Sequence, residues 1–150
     1  MPSYTVAKEN ITAGGDPQTL INIFSVAGAS RGKVYNIILG SNNAPDDQSN
    51  SFEVKRTTAV GTEAGGITPE KHDPNTAASS FDAGWGHTVE PTETGTPLAI
   101  IALNKRATIS WLANPGNELI MPATTNNGLN VVRRTGTAAY VIDCTVMFEE

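Results

Sequence analysis

Tyr140-Val141-Ile142-Asp143-Cys144-Thr145-Val146-Met147-Phe148 settles the fold class. Tyr140, Ile142, Cys144, Val146 and Phe148 are all apolar or aromatic, and they alternate with Ala139, Val141, Asp143, Thr145, Met147 and Glu149. A period of two puts the first set on one face of a sheet, and a wholly apolar face belongs against a core. The pattern predicts a long core strand over residues 138–148. Cys144 falls in the apolar set and is the only cysteine, so it reads as a buried thiol acting as a small hydrophobe, with no disulfide or redox role.

Upstream, short β-branched and aromatic runs recur between Gly, Pro, Asn and Asp, and helical periodicity is absent. The runs are Ser3 to Glu9, Thr19 to Ala27, Lys33 to Gly40, Ser51 to Thr58, Pro97 to Leu103, Ala107 to Leu112, Glu118 to Met121 and Leu129 to Arg134. With the last strand they make about nine. Gly28-Ala29-Ser30-Arg31-Gly32 separates two of them and has the length of a hairpin connection. Asn114-Pro115-Gly116-Asn117 carries proline and glycine where a turn favours them, and Asn126-Asn127-Gly128 tolerates positive φ. Many short strands needing cover on both faces predict an all-β, two-sheet antiparallel sandwich, with a jelly roll as the expected form. The paired cysteines of an immunoglobulin-type sandwich are missing. One domain over 1–150 suits a chain of this length.

Ten Lys and Arg against fifteen Asp and Glu give a net charge of −5. Basic residues occur only in short pairs, Lys55-Arg56, Lys105-Arg106 and Arg133-Arg134, which argues against a duplex-gripping surface. No segment approaches the ~18 apolar residues of a spanning helix, and the first residues lack the pattern of a secretory leader. The expectation is a product made in a cytoplasm that contacts neither nucleic acid nor membrane.

Ala59 to Thr96 stands apart. It is rich in glycine and proline and nearly free of apolar periodicity, yet Val60, Ile67, Phe81, Trp85 and Val89 are spaced along it. Loops this long inside a domain are usually functional or disordered. The segment reads as an extended arm whose apolar residues anchor on a partner, with a loop folded back over its own sandwich as the alternative.

Chemical motifs are weak. Gly28-Ala29-Ser30-Arg31-Gly32 matches G-x-S-x-G, but Lys33 to Leu39 reads as strand where a nucleophile elbow needs a helix. His72 and His87 lack the close spacing of metal-binding histidines, and Asp46-Asp47 lacks the ligand interval of a calcium loop, leaving a solvated turn. Gly14-Gly15 and Gly65-Gly66 lack the lysine or helix start of a phosphate cradle. Trp111 lies in an apolar run and is expected in the core, whereas Trp85, between Gly84 and Gly86, is expected to be exposed or to plug an interface. No catalytic residue, cofactor or metal is expected.

Phe52-Glu53-Val54-Lys55-Arg56-Thr57, Gly61-Thr62-Glu63-Ala64-Gly65-Gly66-Ile67-Thr68-Pro69 and Asp73-Pro74-Asn75-Thr76-Ala77-Ala78 resemble short proteins encoded among tailed-bacteriophage structural genes. Pro115-Gly116-Asn117-Glu118-Leu119-Ile120-Met121-Pro122 and the terminal Phe148-Glu149-Glu150 share the resemblance, which spans nearly the whole chain and carries no chemistry. It implies a head decoration or cement protein: a homotrimeric jelly roll on the capsid exterior of the virion, with the major capsid protein as partner. A clamp of this kind needs a rigid body and interface spread over several subunits. In that role Arg56, Ile67, Pro69, Asp73, Pro74, Phe81 and Trp85 are expected to make the contacts, with Arg56 pairing with Asp73 where the arm departs. A carbohydrate- or receptor-binding jelly-roll module of a phage particle is the alternative.

Overall fold

The computed structural model describes residues 1–26, 28, 30–136 and 140–150. Its strands are β1 (Ser3–Ala13), β2 (Gln18–Ser25), β3 (Gly32–Ser41), β4 (Ser49–Ala59), β5 (Gly65–Ile67), β6 (Glu70–Lys71), β7 (Phe81–Trp85), β8 (Thr92–Asn104), β9 (Thr108–Leu112), β10 (Leu119–Met121), β11 (Gly128–Gly136) and β12 (Tyr140–Glu149). They form two sheets. The first runs β10-β3-β12-β1-β6, with β9 also pairing β3, and the second runs β5-β7-β2-β11-β4-β8. Every pairing is antiparallel, so the chain is an all-β two-sheet sandwich. Ala138 and Ala139, the start of the expected last strand, lie outside the described residues.

β12 behaves as its alternation requires. Tyr140, Ile142, Cys144, Val146 and Phe148 are buried in the core, between β1 on one side and β3 on the other. Tyr4 stacks on Phe148 with ring centroids 5.4 Å apart, Phe81 meets the same ring edge-on at 5.7 Å, and Phe52 of the opposite sheet faces Tyr140 at 6.2 Å. Each such buried ring contributes about 1.5–3 kcal/mol through the area it removes from water. Burial also pushes the Cys144 thiol far above its ordinary pKa. Almost no thiolate therefore forms at neutral pH, and a disulfide reagent is expected to label Cys144 only after denaturant is added; stoichiometric labelling of the native protein would contradict that burial.

Two expectations need correction. β2 and β3 do not form a hairpin, because β2 lies in the second sheet and β3 in the first. Their connection crosses the sandwich, and loop length alone does not distinguish the two routes; Ala27 and Ala29, within and beside it, lie outside the described residues. The stretch 59–96 is not strandless, since it contains β5, β6, β7 and the first residues of β8. Strands of three, two and five residues, partly glycine, are too short to show a period.

β1 is longer than its sequence pattern suggests. Tyr4 and Val6 face the core at even positions, Ile11 and Ala13 at odd ones. A bulge between Lys8 and Ile11 makes the change, with Asn10 at φ 56°. Its backbone N–H donates to Asp143 Oδ1 at 2.8 Å and its side-chain oxygen accepts from Asn42 Nδ2 at 2.7 Å, which hold the bulge in place. At Asn114-Pro115-Gly116-Asn117 the expected turn is present: Asn117 N–H donates to the Asn114 carbonyl and Gly116 takes φ 88°.

Candidate interaction surface

The excursion between β4 and β8 is explained by where its strands must go. β4 and β8 lie at one side of the second sheet and β5 and β7 at the other, so the chain crosses that sheet after Ala59 and crosses back after Trp85. The two crossings run antiparallel and hold each other. Thr62 bridges Val89, Thr88 N–H donates to the Thr62 carbonyl at 2.8 Å, and Ala64 N–H donates to the Trp85 carbonyl at 3.1 Å.

Side-chain direction identifies the face they cross. Ile21, Ile23, Val54 and Val131 point into the core, so Asn22, Thr57, Asn130 and Val132 point outward, and with Thr19 they are nonetheless almost wholly buried. The returning crossing reaches Thr19, whose N–H and hydroxyl both donate to Glu90, and just beyond it Glu93 accepts from Asn130 Nδ2 at 3.0 Å. Residues 60–64 and 86–91 thus form a strap over the outer face of the second sheet, with β6 continuing onto the first sheet by pairing β1. This is the folded-back form of the segment.

The outer face is also where charge is neutralised. Arg134 donates to Glu53 at 2.7 Å and to Glu93, and Lys55 Nζ lies 3.2 Å from Glu93. Burial is the largest influence on the Glu93 carboxyl and acts to raise its pKa, but hydrogen bonds from Arg134, Asn130 and Lys55 outweigh it and hold the group below the usual carboxylate range. The third basic pair, Lys105-Arg106, is likewise committed within the chain. Lys105 bonds Asp46 at 2.9 Å and Arg106 bonds Asp47 at 2.8 Å, so the Asp46-Asp47 turn is ion-paired rather than simply solvated.

The residues expected to meet a partner are scattered by the structure. Phe81 is 1% exposed and packs on Phe148, which makes it a core residue and corrects its assignment as a contact. Pro69 is buried and Ile67 packs half-buried against the core. Trp85 is half-buried with Lys8 Nζ 4.3 Å from its ring centroid. Arg56 does not bond Asp73. Its Nη1 donates to the Ile120 carbonyl of the opposite sheet, while Asp73 accepts from the Asn75 N–H within its own turn. Only Asp73 and Pro74 of the seven are exposed. The apolar members do anchor the segment, but on the chain's own sandwich.

The opposite edge is open. β8 pairs β4 alone among the described residues, and β9 and β10 end the first sheet beside it. Leu98, Ile100 and Leu112 are 37%, 67% and 68% exposed. Between Val54↔Ala99 and Arg56↔Thr94 the ladder is interrupted, and Gly95 adopts φ 74°. From Ala99 to Asn104 it is regular. No charged residue occurs from Gly95 to Asn104, although edge strands are ordinarily protected by charge. The sequence predicts a strand from Pro97 to Leu103 but not its faces, because Pro97-Leu98-Ala99-Ile100-Ile101 is apolar at every position.

No protein-family model, curated protein or solved structure matches the chain. Its functional reading therefore rests on its own surface chemistry. His72 Nε2 lies 2.5 Å from Thr5 Oγ1, and His87 is buried, which lowers its pKa. Among the described residues no three His, Cys, Asp or Glu side chains are grouped to hold a metal ion. Trp111 packs against the core at partial burial.

Proposed function

We propose that the protein is a jelly-roll decoration protein of a tailed-phage head, a homotrimer on the capsid exterior whose subunits join through the open edge formed by β8 and β9. The observation that carries this reading is the uncharged, regularly laddered edge from Ala99 to Asn104, with Leu98, Ile100 and Leu112 exposed around it. Such an edge invites strand addition from a neighbour, with main-chain hydrogen bonds giving affinity and the apolar side chains giving fit. The resemblance of the chain to phage structural proteins supplies the setting and the trimer.

The strand order supports the jelly roll. Without the short excursion strands, the sheets read β9-β3-β12-β1 and β8-β4-β11-β2. Consecutive strands from β1 to β4 change sheet, and so do those from β8 to β12 apart from the shared edge of β9 and β10, which is the connectivity of two wrapped Greek keys. The role calls for no reaction and no cofactor.

Ile100→Lys tests the reading. A charge at the centre of the edge blocks pairing but lies on an exposed face, so folding should be within about 0.5 kcal/mol of wild type. Light scattering is expected to show a trimer for the wild type and a monomer for the variant. Saturation of purified heads of the encoding phage is expected to fail with the variant. An Ile100→Lys protein that still forms trimers and still saturates heads would overturn the assignment of the edge.

A further inference from the structure

Under the outgoing leg of the strap, side-chain oxygen atoms gather with no basic side chain paired to them among the described residues. Gly66, Gly84, Asn22 and Asn130 lie in one register row across β5, β7, β2 and β11. Gly84 points outward, since Phe81 and Ala83 of the same strand face the core. The Glu63 carboxylate occupies the space a side chain would fill there: its Oε2 lies 1.4 Å from the position of a Cβ on Gly84, and its Oε1 3.6 Å from that of Gly66. The two glycines form a slot for this group. Glu63 Oε2 is buried in it with no hydrogen-bond partner among the described residues.

A second buried oxygen borders the slot. Asn22, paired with Gly84, is 0% exposed. Its Nδ2 donates to the Leu129 carbonyl at 3.1 Å and to Thr57 Oγ1 at 3.2 Å, both on strands away from β7. A planar amide so held turns its oxygen back toward the slot, and Asn22 Oδ1 likewise has no partner among the described residues. Asp82, the next outward residue of β7, brings a second carboxylate close enough to repel Glu63. Among the described residues no basic side chain forms an ion pair with either acid: Lys55 and Arg134 are engaged with Glu93, and Lys8 with Trp85.

We propose that this slot binds a divalent cation of the calcium type, with Glu63, Asp82 and Asn22 Oδ1 as its side-chain ligands and main-chain carbonyls or water completing the shell. Three hard oxygen donors from two strands and a strap suit Ca2+, which accepts irregular geometry with six to eight oxygens; Mg2+ demands near-ideal octahedra, and Zn2+ favours nitrogen and sulfur. The ion cancels the repulsion between the two carboxylates and pins the strap to the second sheet. With few charged ligands, affinity is expected in the weak range of about 0.1–1 mM.

Terbium titration of the full chain provides the test, because Trp85 directly follows Gly84 and can sensitise emission from a bound ion. The proposal expects emission that Ca2+ displaces, that survives Trp111→Phe and that is lost in Glu63→Gln. Thermal unfolding gives a second reading. The wild-type Tm should rise with Ca2+, while that of Glu63→Gln should not respond to Ca2+ and should at least equal the wild type in chelator, because the repelled carboxylate is gone. A wild-type Tm indifferent to millimolar Ca2+ would overturn the proposal. Emission that persists in Glu63→Gln would overturn it equally.

Discussion

Phe81→Ala is expected to lower the unfolding free energy by about 3–5 kcal/mol, the range for truncating a buried aromatic ring. Phe81 opens β7, is 1% exposed and packs edge-on against Phe148, itself stacked on Tyr4. Its removal therefore loosens both the strand that carries the excursion and the last strand of the opposite sheet. Urea unfolding measures the loss directly. Pro74→Ala, in the exposed turn of the same segment, is expected to change stability by no more than about 0.5 kcal/mol. The contrast separates a segment docked on its own core from one held out for a partner. A Phe81→Ala protein within about 1 kcal/mol of wild type would mean that the ring contributes little to the core. For the same reason, excising residues 62–84 should unfold the domain rather than release an arm from it.

Arg133→Ala is expected to cost a similar amount, about 3–5 kcal/mol, the range for removing one partner from a buried charged network. Arg133 is the largest fully buried side chain and enters the sandwich from β11. Its Nε donates to Asn50 Oδ1 at 2.9 Å, its Nη1 to the Ala13 carbonyl at 2.6 Å, and Asp16 lies 3.8 Å away. Gly136 leaves room for the guanidinium, which lies 2.2 Å from where a Cβ would stand. Truncation strands a buried carbonyl and a buried amide oxygen together. Arg133→Lys is not expected to restore the loss, because an ammonium cannot reproduce the planar fork that spans two acceptors. Full recovery with lysine would show that charge alone matters at this position.

Arg133 and Arg56 close opposite ends of the sandwich in comparable ways. Arg56 crosses from β4 to the Ile120 carbonyl, and Arg133 crosses from β11 to the Ala13 carbonyl. Each belongs to a basic pair that reads in sequence as surface charge. Neighbours in a strand face opposite ways, so one member of each pair, Arg56 or Arg133, turns inward while Lys55 or Arg134 joins the outer network around Glu93.

How far the fold was legible follows from such local facts. β12 was readable because its inward face, Tyr140, Ile142, Cys144, Val146 and Phe148, is wholly apolar, and the bulges along it lie in its partners β1 and β3 rather than in β12 itself. β1 was readable only to Glu9, because the Asn10 bulge shifts its inward residues from even to odd positions. The route from β2 to β3 was not readable, since a short glycine loop serves a hairpin and a crossing equally. In the excursion, Phe81 and Ile67 were recognised as anchors, but what they anchor to depends on contacts between residues far apart in the chain. Arg56 and Asp73 were paired on charge alone, while a carbonyl on the opposite sheet was the nearer partner. The open edge was invisible for a related reason: Ile100 and Ile101 are identical in type, and only the register with Glu53 and Phe52 shows which is buried. Glu63, Asp82 and Asn22 carried no motif, and their meeting depends on Gly84 having no side chain.

The proposed edge is tested most directly by residue-resolved amide hydrogen exchange, comparing the assembled protein with the same protein diluted to monomer. Amides of Ala99 to Leu103 directed away from β4 are expected to be slow in the assembly and fast on dilution, because a neighbouring strand supplies their acceptors. Equal exchange at these amides in both states, with new protection gathered instead around Asp73 and Pro74, would contradict the account.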